Sequence, residues 1–237
     1  TGAADWPLPY RPAINETQEG TVRGFSSVLI DDRILIDCGA TVPDAIHHSG
    51  ADVNRITDIL LTHTHVDHCD IDGIRRLFSQ QLGKKTVNLW AHPSALAKLP
   101  EIEGVCQRTT EVGETFKLTW ITVTSLAANH DVKEETALHF LLQKPQVSVL
   151  YATDCAWFLK PTWARLMETE LDAVIWDATC GETQGDWRIF EHNSVDMINL
   201  MCRTFEKQGV LSPRSKIFLT HMARTLCAPH DDMTKRL

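Results

Sequence analysis

The chain has 237 residues, of which 43% are hydrophobic and 23% charged, as expected for a globular protein with a sizeable core. Its formal net charge is -8, and no long lysine or arginine cluster interrupts it, which argues against a surface for binding large nucleic acids. No apolar run approaches the roughly 18 residues of a membrane helix, so no membrane partner is predicted.

The predicted elements alternate short β-rich runs with helical patterns, which indicates layers of sheets and helices. Prolines interrupt residues 6–20, which are predicted to form an irregular loop. The elements that follow are a hairpin over SSVLI and RILID, a helix over 42–50 that ends at Gly50, a buried strand over RITDILLT, a helix over 70–83, a strand over VNLWAH and a helix around 93–99.

The second half of the chain is predicted to hold further strands and two helices. The strands cover FKLTWITVTSLAA, TALHFLLQ, SVLYATD, LDAVIWDAT and KIFLTH, and the first helix covers WFLKPTWARLMETE. The second helix covers 194–208, with Asn193 or Ser194 as its cap and Gly209 at its end. Conspicuous His and Asp residues stand where strands give way to loops, which is where proteins tend to place their chemistry.

The cysteines indicate the cellular compartment of the protein rather than a disulfide framework or a zinc site. Seven of them are scattered along the chain and never form a C-x-x-C pair. A disulfide framework or a structural zinc site would require paired spacing. We interpret them as reduced, mostly buried thiols and predict a cytoplasmic protein. We predict a single domain, residues 1–237, that is trimmed at both termini, since the chain has no initiator Met and its C-terminal tail ends soon after His221.

The sequence HTHVDHCD, residues 63–70, directly follows the apolar run ITDILLT. Imidazole nitrogens suit Zn²⁺, Fe and Mn, and a carboxylate adds a hard oxygen ligand. Four ligands from so short a segment are too many to converge on one ion, so we predict two adjacent ions, the usual arrangement for hydrolysing phosphoesters. The candidate ligands are His63, His65, Asp67 and His68.

Three more donors stand in matching contexts. His130 follows VTSLAAN, Asp154 ends SVLYATD and His221 ends KIFLTH, so each is predicted at the C-terminal end of an apolar strand. They could converge if these strands share a sheet edge. Singly, each is more often a hydrogen-bonded histidine or a capping aspartate, but jointly with H-x-H-x-D-H they favour a binuclear metal site.

The order of these motifs resembles that of the metallo-β-lactamase superfamily. ILIDCGA (34–40) is similar to its early Asp-Gly strand, and YATD (151–154) to the strand of its bridging aspartate. The resemblance implies an α/β fold of four layers, an αββα sandwich of two mixed β-sheets flanked by helices. It also implies that His63, His65 and His130 bind one metal, that Asp67, His68 and His221 bind the other, and that Asp154 bridges them.

Further segments resemble the phosphodiesterase branch that includes RNase Z and the cyclic phosphodiesterases of the PhnP family. These are TGAADWPLP at the start, NHDV at 129–132 and IFLTHMAR at 217–224. His192 resembles an extra histidine that precedes a helix in this branch, and it would stabilise a phosphoryl oxygen or protonate the leaving group. Asp67 is the other catalytic candidate, and Asp37 would orient a ligand histidine through a hydrogen bond.

The resemblance implies a dinuclear metal-dependent hydrolase, with a phosphodiesterase favoured. The substrate would be a small, cyclic phosphodiester attacked by a metal-bridging hydroxide. The two metal ions would be Zn²⁺ or Mn²⁺, with Fe as the further alternative. Two divalent cations outweigh the charges of Asp67 and Asp154, so an anionic substrate would find a positive pocket. A thioesterase of the glyoxalase II type, a lactonase, an RNase Z-like nuclease and a non-catalytic binding domain are alternatives, and a homodimer is left open.

Overall fold

The structure is a computed structural model that describes residues 2–3, 23–78, 86–228, 232–233 and 235. The chain divides into two compact units, Thr1–Thr110 with Ala228–Leu237, and Glu111–Cys227. Each unit contains one mixed β-sheet and its own helices, and these two mixed sheets with flanking helices confirm the predicted fold class. The single domain stays a prediction, and the predicted loop over 6–20 lies outside the described residues.

The first unit holds a five-stranded sheet in the order β1-β2-β3-β4-β5. Its strands are β1 (Val28–Ile30), β2 (Ile34–Ile36), β3 (Asp58–Leu60), β4 (Val87–Ala91) and β5 (Val105–Thr109), and its helices are α1 (Val42–Ser49), α2 (Ile71–Phe78) and α3 (Pro93–Leu96). β1 and β2 pair antiparallel as the predicted hairpin, whereas the other neighbouring strands are parallel.

Burial explains why the strands of this sheet can be recognised from the sequence. β3 lies in the middle of the sheet and is buried throughout, so its sequence is a continuous apolar run after Asp58. The core combines Leu35 and Ile59 from the strands with Ile46 of α1 and Ile74 of α2. Helix α2 is described as far as Phe78, and the remainder of its predicted span falls on residues outside the described ones.

The second unit holds a six-stranded sheet in the order β11-β10-β9-β8-β7-β6. Its strands are β6 (Thr115–Lys117), β7 (Thr122–Val132), β8 (Glu135–Lys144), β9 (Val147–Ala152), β10 (Leu171–Asp177) and β11 (Leu211–Thr220). Its helices are α4 (Lys160–Leu166), α5 (Val195–Gln208) and a 3-10 helix over Trp187–Phe190. β9, β10 and β11 run parallel, so the residues that follow all three strands come to the same edge of the sheet.

Aromatic packing holds α5 against this second sheet. Phe205 of α5 stacks on Trp176 of β10 with ring centroids 6.0 Å apart, and both contact Phe158. The ends of α5 follow the predicted chemistry, since the Ser194 side chain accepts a hydrogen bond from the Met197 N–H and Gly209 ends the helix at φ 76°. α5 thereby fixes the loop that precedes it, in which His192 lies.

One strand prediction was wrong and one strand was missed, both at polar positions. His130 does not follow a strand, because β7 continues to Val132 and the β7–β8 register is irregular between Ala127 and Asp131. β5 was not predicted, since this edge strand is half-buried to exposed and its sequence VCQRT lacks a regular apolar pattern. No helix among the described residues is long and apolar enough to cross a membrane.

Candidate metal centre

In the first unit, the loop after β3 that carries the H-x-H-x-D-H motif is held by backbone contacts. The Cys38 N–H donates to the His68 carbonyl at 2.7 Å, and the Asp70 N–H donates to the Cys38 carbonyl at 2.8 Å. A Cβ atom on Gly39 would lie 2.1 Å from the Asp67 carbonyl oxygen. Only glycine therefore lets the loop approach the segment after β2 so closely.

Asp37 is fully buried beneath this loop and fixes two of its side chains. Its Oδ2 lies 2.8 Å from His68 Nδ1, and Oδ1 accepts a hydrogen bond from the Thr62 N–H at 2.8 Å. Burial raises the pKa of Asp37, while the contact with His68 acts in the opposite direction. With Nδ1–H donated to the carboxylate, the Nε2 lone pair of His68 is left for a metal.

Thr62 orients His63 in the same way. The Thr62 hydroxyl donates to Asp37 at 2.9 Å and lies 3.0 Å from His63 Nδ1, so it can accept the proton of that nitrogen. His63 then presents Nε2 as its lone-pair nitrogen, like His68. These contacts set the tautomers of two candidate ligands from residues buried behind them.

The four side chains of the motif form two pairs of possible ligand atoms. Atoms of His63 and His65 lie within 4.8 Å of each other, and so do atoms of Asp67 and His68. The His68 Nε2 atom is 3.6 Å from the Asp67 Oδ2 atom. The resemblance to the metallo-β-lactamase superfamily assigns these two pairs to two different ions.

In the second unit, Asp154 lies between two histidines. Its Oδ1 is 2.8 Å from His221 Nε2, and its Oδ2 is 3.4 Å from His130 Nε2. All three side chains are at most 3% exposed. A carboxylate with its two oxygens directed at different histidines has the arrangement that a bridging ligand requires.

The Thr179 hydroxyl sets the tautomer of His221. It donates to the His221 carbonyl at 2.7 Å, so its lone pair must meet His221 Nδ1, also at 2.7 Å, as the acceptor of an Nδ1–H. His221 then directs a lone pair from Nε2 at the Asp154 carboxylate. Two acceptors 2.8 Å apart repel each other unless a cation or an added proton lies between them, so the donor set fits a metal ion.

His192 is bound to a second buried carboxylate, Asp177. His192 Nδ1 lies 2.7 Å from Asp177 Oδ2, and Asp177 also accepts from the backbone N–H groups of Thr179 at 2.8 Å and Cys155 at 3.2 Å. Burial alone would lower the pKa of His192, but the charge of Asp177, their hydrogen bond and the charge of Asp154 together raise it. This arrangement favours an imidazolium that can donate a proton.

Three of the candidate site residues have left-handed backbone conformations. Asp37, Asp154 and His221 have φ values of 59°, 49° and 55°. Such conformations cost non-glycine residues about 1–3 kcal/mol each and persist where the surrounding structure enforces them. Each of these residues follows the end of a strand, so the strained turn is what directs its side chain along the sheet edge.

Residues 32–222 match the family model described as the Beta-lactamase superfamily domain. The chain belongs to this superfamily. Among curated relatives, the anti-Pycsar protein Apyc1 of Paenibacillus xerothermodurans is 50% identical over 67 residues, 27% of this chain and 25% of the relative. The ribonuclease Z of Bradyrhizobium diazoefficiens is 51% identical over 47 residues, 20% of this chain and 15% of the relative. The chain thus matches a quarter or less of the length of these two relatives.

Solved structures of the superfamily share its fold. A diphosphatase from the PhnP family has a TM-score of 0.72 at 20% identity, covering 100% of this chain and 86% of that one. The short form of human tRNase Z has a TM-score of 0.67 at 18% identity, covering 97% and 94%. At these identities the likeness supports the superfamily fold, and the His and Asp clusters make this member one that can bind divalent metal.

Several site residues of this superfamily member escaped the sequence analysis. Asp177 ends β10 as a polar residue after an apolar strand, the same signal that singled out Asp154. Glu191 lies 3.6 Å from His130 Nδ1, and ligand atoms of His130, Glu191 and His192 come within 4.8 Å of one another. Thr62 and Thr179 have no sequence signal, because a hydroxyl that orients a histidine can come from any position that the fold brings near.

Proposed function

We propose that this protein is a dinuclear metal-dependent phosphodiesterase acting on a small, cyclic phosphodiester. The observation that carries the proposal is the His221 Nε2 lone pair directed at Asp154 Oδ1 from 2.8 Å, since this contact requires a cation or a proton. The proposed ligands are His63, His65 and His130 for one ion, Asp67, His68 and His221 for the other, and Asp154 for both.

Divalent ions at these ligands would supply positive charge for the phosphate and lower the pKa of water. The residues of the chain then do the remaining work. Asp37, Thr62 and Thr179 hold the ligand histidines in the tautomer that presents Nε2. They thereby set the ligand geometry before any substrate arrives.

His192 is proposed as the proton donor to the leaving group. Its Nδ1 is engaged by Asp177, so Nε2–H remains as the group that can donate. In the metal-free chain, burial acts to lower the pKa of His192, but the charge and hydrogen bond of Asp177 raise it above its ordinary value, which favours the imidazolium. A leaving alkoxide is a poor leaving group without a proton, and a positioned general acid typically contributes about 10²–10⁴-fold to the rate.

The relatives support a phosphodiester over a thioester or a lactone. Ribonuclease Z acts, by its name, on RNA, whose backbone is a phosphodiester. The PhnP-family neighbour is named a diphosphatase, so its substrate is also a phosphoryl compound, though an anhydride rather than a diester. The net charge of -8 argues for a small substrate, because a large nucleic acid would be repelled by the surface. The ligand donors and the acidic surface together favour a small anion.

Metal stoichiometry tests whether both ligand sets serve one centre. Reconstituted wild-type protein is expected to hold two ions per chain by elemental analysis, and Asp154→Ala fewer than two. His63→Ala and His221→Ala should each lose metal, while exposed His47→Ala, the matched control, should keep both ions. Full metal content in both His63→Ala and His221→Ala would refute the proposed ligand set.

A substrate panel tests the chemistry. The panel holds a cyclic ribose phosphate, a linear aryl phosphodiester, an acyl-glutathione thioester and a lactone. We expect turnover of the two phosphodiesters alone, and its loss in Asp154→Ala. His192→Ala should keep its metal. It should lose far more activity on the cyclic ribose phosphate, which has an alkoxide leaving group, than on the linear aryl phosphodiester, whose leaving group needs no proton. Cleavage of only the thioester or lactone would overturn the phosphodiesterase proposal.

A further inference from the structure

Three candidate ligand histidines each have a side-chain oxygen atom within 3.0 Å of Nδ1. These oxygens belong to Thr62 beside His63, Asp37 beside His68 and Thr179 beside His221. An oxygen that accepts Nδ1–H leaves the Nε2 lone pair to a metal. His130 needs the same orientation, because its Nε2 atom faces Asp154 Oδ2 at 3.4 Å.

The carboxylate of Glu191 lies on the Nδ1 side of His130. Glu191 Oε2 is 3.6 Å from His130 Nδ1, while Asp154 is on the Nε2 side of the same ring. The His130 side chain is only 2% exposed, and its Nδ1 atom is buried. An N–H group that is removed from water is costly unless an acceptor is near it. Glu191 supplies a charged acceptor on the side of the ring that faces away from Asp154.

Backbone hydrogen bonds fix the position of Glu191. It directly follows the 3-10 helix Trp187–Phe190, and its N–H donates to the Arg188 carbonyl at 2.9 Å. The same carbonyl accepts from the His192 N–H at 2.8 Å. Charge-assisted N–H to carboxylate bonds have lengths of about 2.8 Å, so a movement of about 0.8 Å by the Glu191 side chain would complete one with His130. This side chain is 33% exposed, which leaves it room to make that movement.

His192 is the other imidazole near Glu191. The ring centroids of His130 and His192 are 5.1 Å apart, and ligand atoms of all three residues come within 4.8 Å of one another. However, His192 Nδ1 already contacts Asp177 at 2.7 Å, so a different carboxylate orients this ring. The contact of Glu191 with His130 Nδ1 therefore indicates that Glu191 acts on His130.

We propose that Glu191 is a positioning residue for the metal ligand His130, whose Nδ1–H it accepts when Nε2 binds a divalent ion. This inference rests on the metal centre of the proposed function and is independent of the reaction catalysed there. A carboxylate behind a ligand imidazole fixes its tautomer and orientation, and removing such a partner typically weakens metal binding about 10–100-fold. The effect should fall on one ion of the two, the one proposed for His63, His65 and His130.

Competition with a chelator measures the Kd of each bound Zn²⁺ ion. Glu191→Ala should raise the Kd of one ion about 10–100-fold and leave the other unchanged. Glu191→Gln keeps an oxygen acceptor without the charge, so it should have a smaller effect. The matched control is Glu170→Ala, which removes the same charge from an exposed position just before β10, at the opposite end of that strand from Asp177. This control should bind both ions as the wild type does.

Nitrogen NMR of zinc-loaded protein labelled with ¹⁵N-histidine gives a readout that a general loss of stability would not produce. Wild-type His130 should carry its proton on Nδ1, with the proton signal shifted downfield by the carboxylate. The signal is assigned by its absence in His130→Gln. It should move upfield or exchange with water in Glu191→Ala and stay in place in Glu170→Ala. Equal zinc affinities of wild type and Glu191→Ala, or an unchanged His130 signal, would overturn the role of Glu191.

Activity separates this inference from the proposed function. At saturating zinc, Glu191→Ala should keep the wild-type ratio of alkyl to aryl phosphodiester turnover, whereas a ratio that falls as in His192→Ala would assign Glu191 to His192 and refute the proposal. If Glu191→Ala binds one ion more weakly than wild type and neither protein cleaves a phosphodiester, the role of Glu191 stands and the proposed function falls. If both cleave phosphodiesters and bind zinc equally well, the proposed function stands and the role of Glu191 falls.

Discussion

The acid sensitivity of the second unit should depend on one buried histidine, His139 of β8. It is fully buried, and its ring meets Phe158 edge to face with centroids 5.7 Å apart. Neither ring nitrogen has a hydrogen-bond partner among the described residues. Burial lowers the pKa of His139 to about 3, although the charges of Asp177 and Asp154 act to raise it.

The protonation of His139 is linked to unfolding, because the folded and unfolded chains bind this proton at different pH values. The folded protein keeps this imidazole neutral, while the unfolded chain binds a proton near the ordinary pKa of 6.5. The contribution of the neutral His139 to the free energy of unfolding is therefore fully present above pH 6.5. It declines as the pH falls from 6.5 towards 3. Between pH 7 and pH 5 the decline from this residue amounts to about 2 kcal/mol, at about 1.36 kcal/mol for each pH unit.

The perturbation is His139→Leu, measured by urea denaturation of chelator-treated protein at pH 7 and pH 5. Between the two pH values the wild type should lose about 2 kcal/mol more than the variant. At pH 7 the variant should be no less stable, because it removes a buried N–H without an acceptor, which costs about 1–3 kcal/mol. His47→Leu, on the exposed face of α1, is the matched control and should follow the wild type. Equal losses in wild type and His139→Leu would refute the argument.

Three further predictions concern the candidate centre. Gly39→Ala should weaken metal binding at least about tenfold in a chelator competition, since its Cβ would lie 2.1 Å from the Asp67 carbonyl oxygen. Asp177→Asn should keep its metal by elemental analysis but lower kcat about 100-fold on an alkyl phosphodiester, and much less on an aryl one, because it takes the charge from beside His192. Adding divalent metal at 100 times the wild-type Kd should raise the free energy of unfolding by about 2.7 kcal/mol for each ion bound in a denaturation assay, and by less in Asp154→Ala at the same metal concentration.

The parts of the fold that could be predicted from the sequence are those whose residues are buried. β3, β9 and β10 are apolar because neighbouring strands and packed side chains cover them, so their sequences stand out. Edge strands lack this signal. β5 passed unnoticed, and β11 begins at Leu211, five residues before its apolar stretch, because Ser212, Pro213 and Arg214 lie on a sheet edge that tolerates polar residues and proline.

The candidate site divides along a similar line. The candidate ligands could be recognised from the sequence, because histidine and aspartate rarely cluster after apolar strands. His130 was assigned to a strand end from its local sequence, yet it lies in an irregular part of β7 whose partner strand is needed to see it. Gly39, Thr62 and Thr179 act through contacts with residues that are distant in sequence, so only the folded chain reveals them.

The two buried carboxylates of the second unit show how environment separates their roles. Asp177 accepts hydrogen bonds from backbone N–H groups of Thr179, Cys155 and Asn193 as well as contacting His192, so its charge is stabilised by fixed donors. Asp154 faces the Nε2 atoms of His130 and His221. The Nε2 atom of His221 presents a lone pair to the carboxylate. A carboxylate with protein donors can hold a proton-donating imidazole in place, whereas one that faces a lone pair must share a cation or a proton with it. The same residue type therefore anchors His192 at one strand end and is the proposed metal ligand at the end of the neighbouring strand.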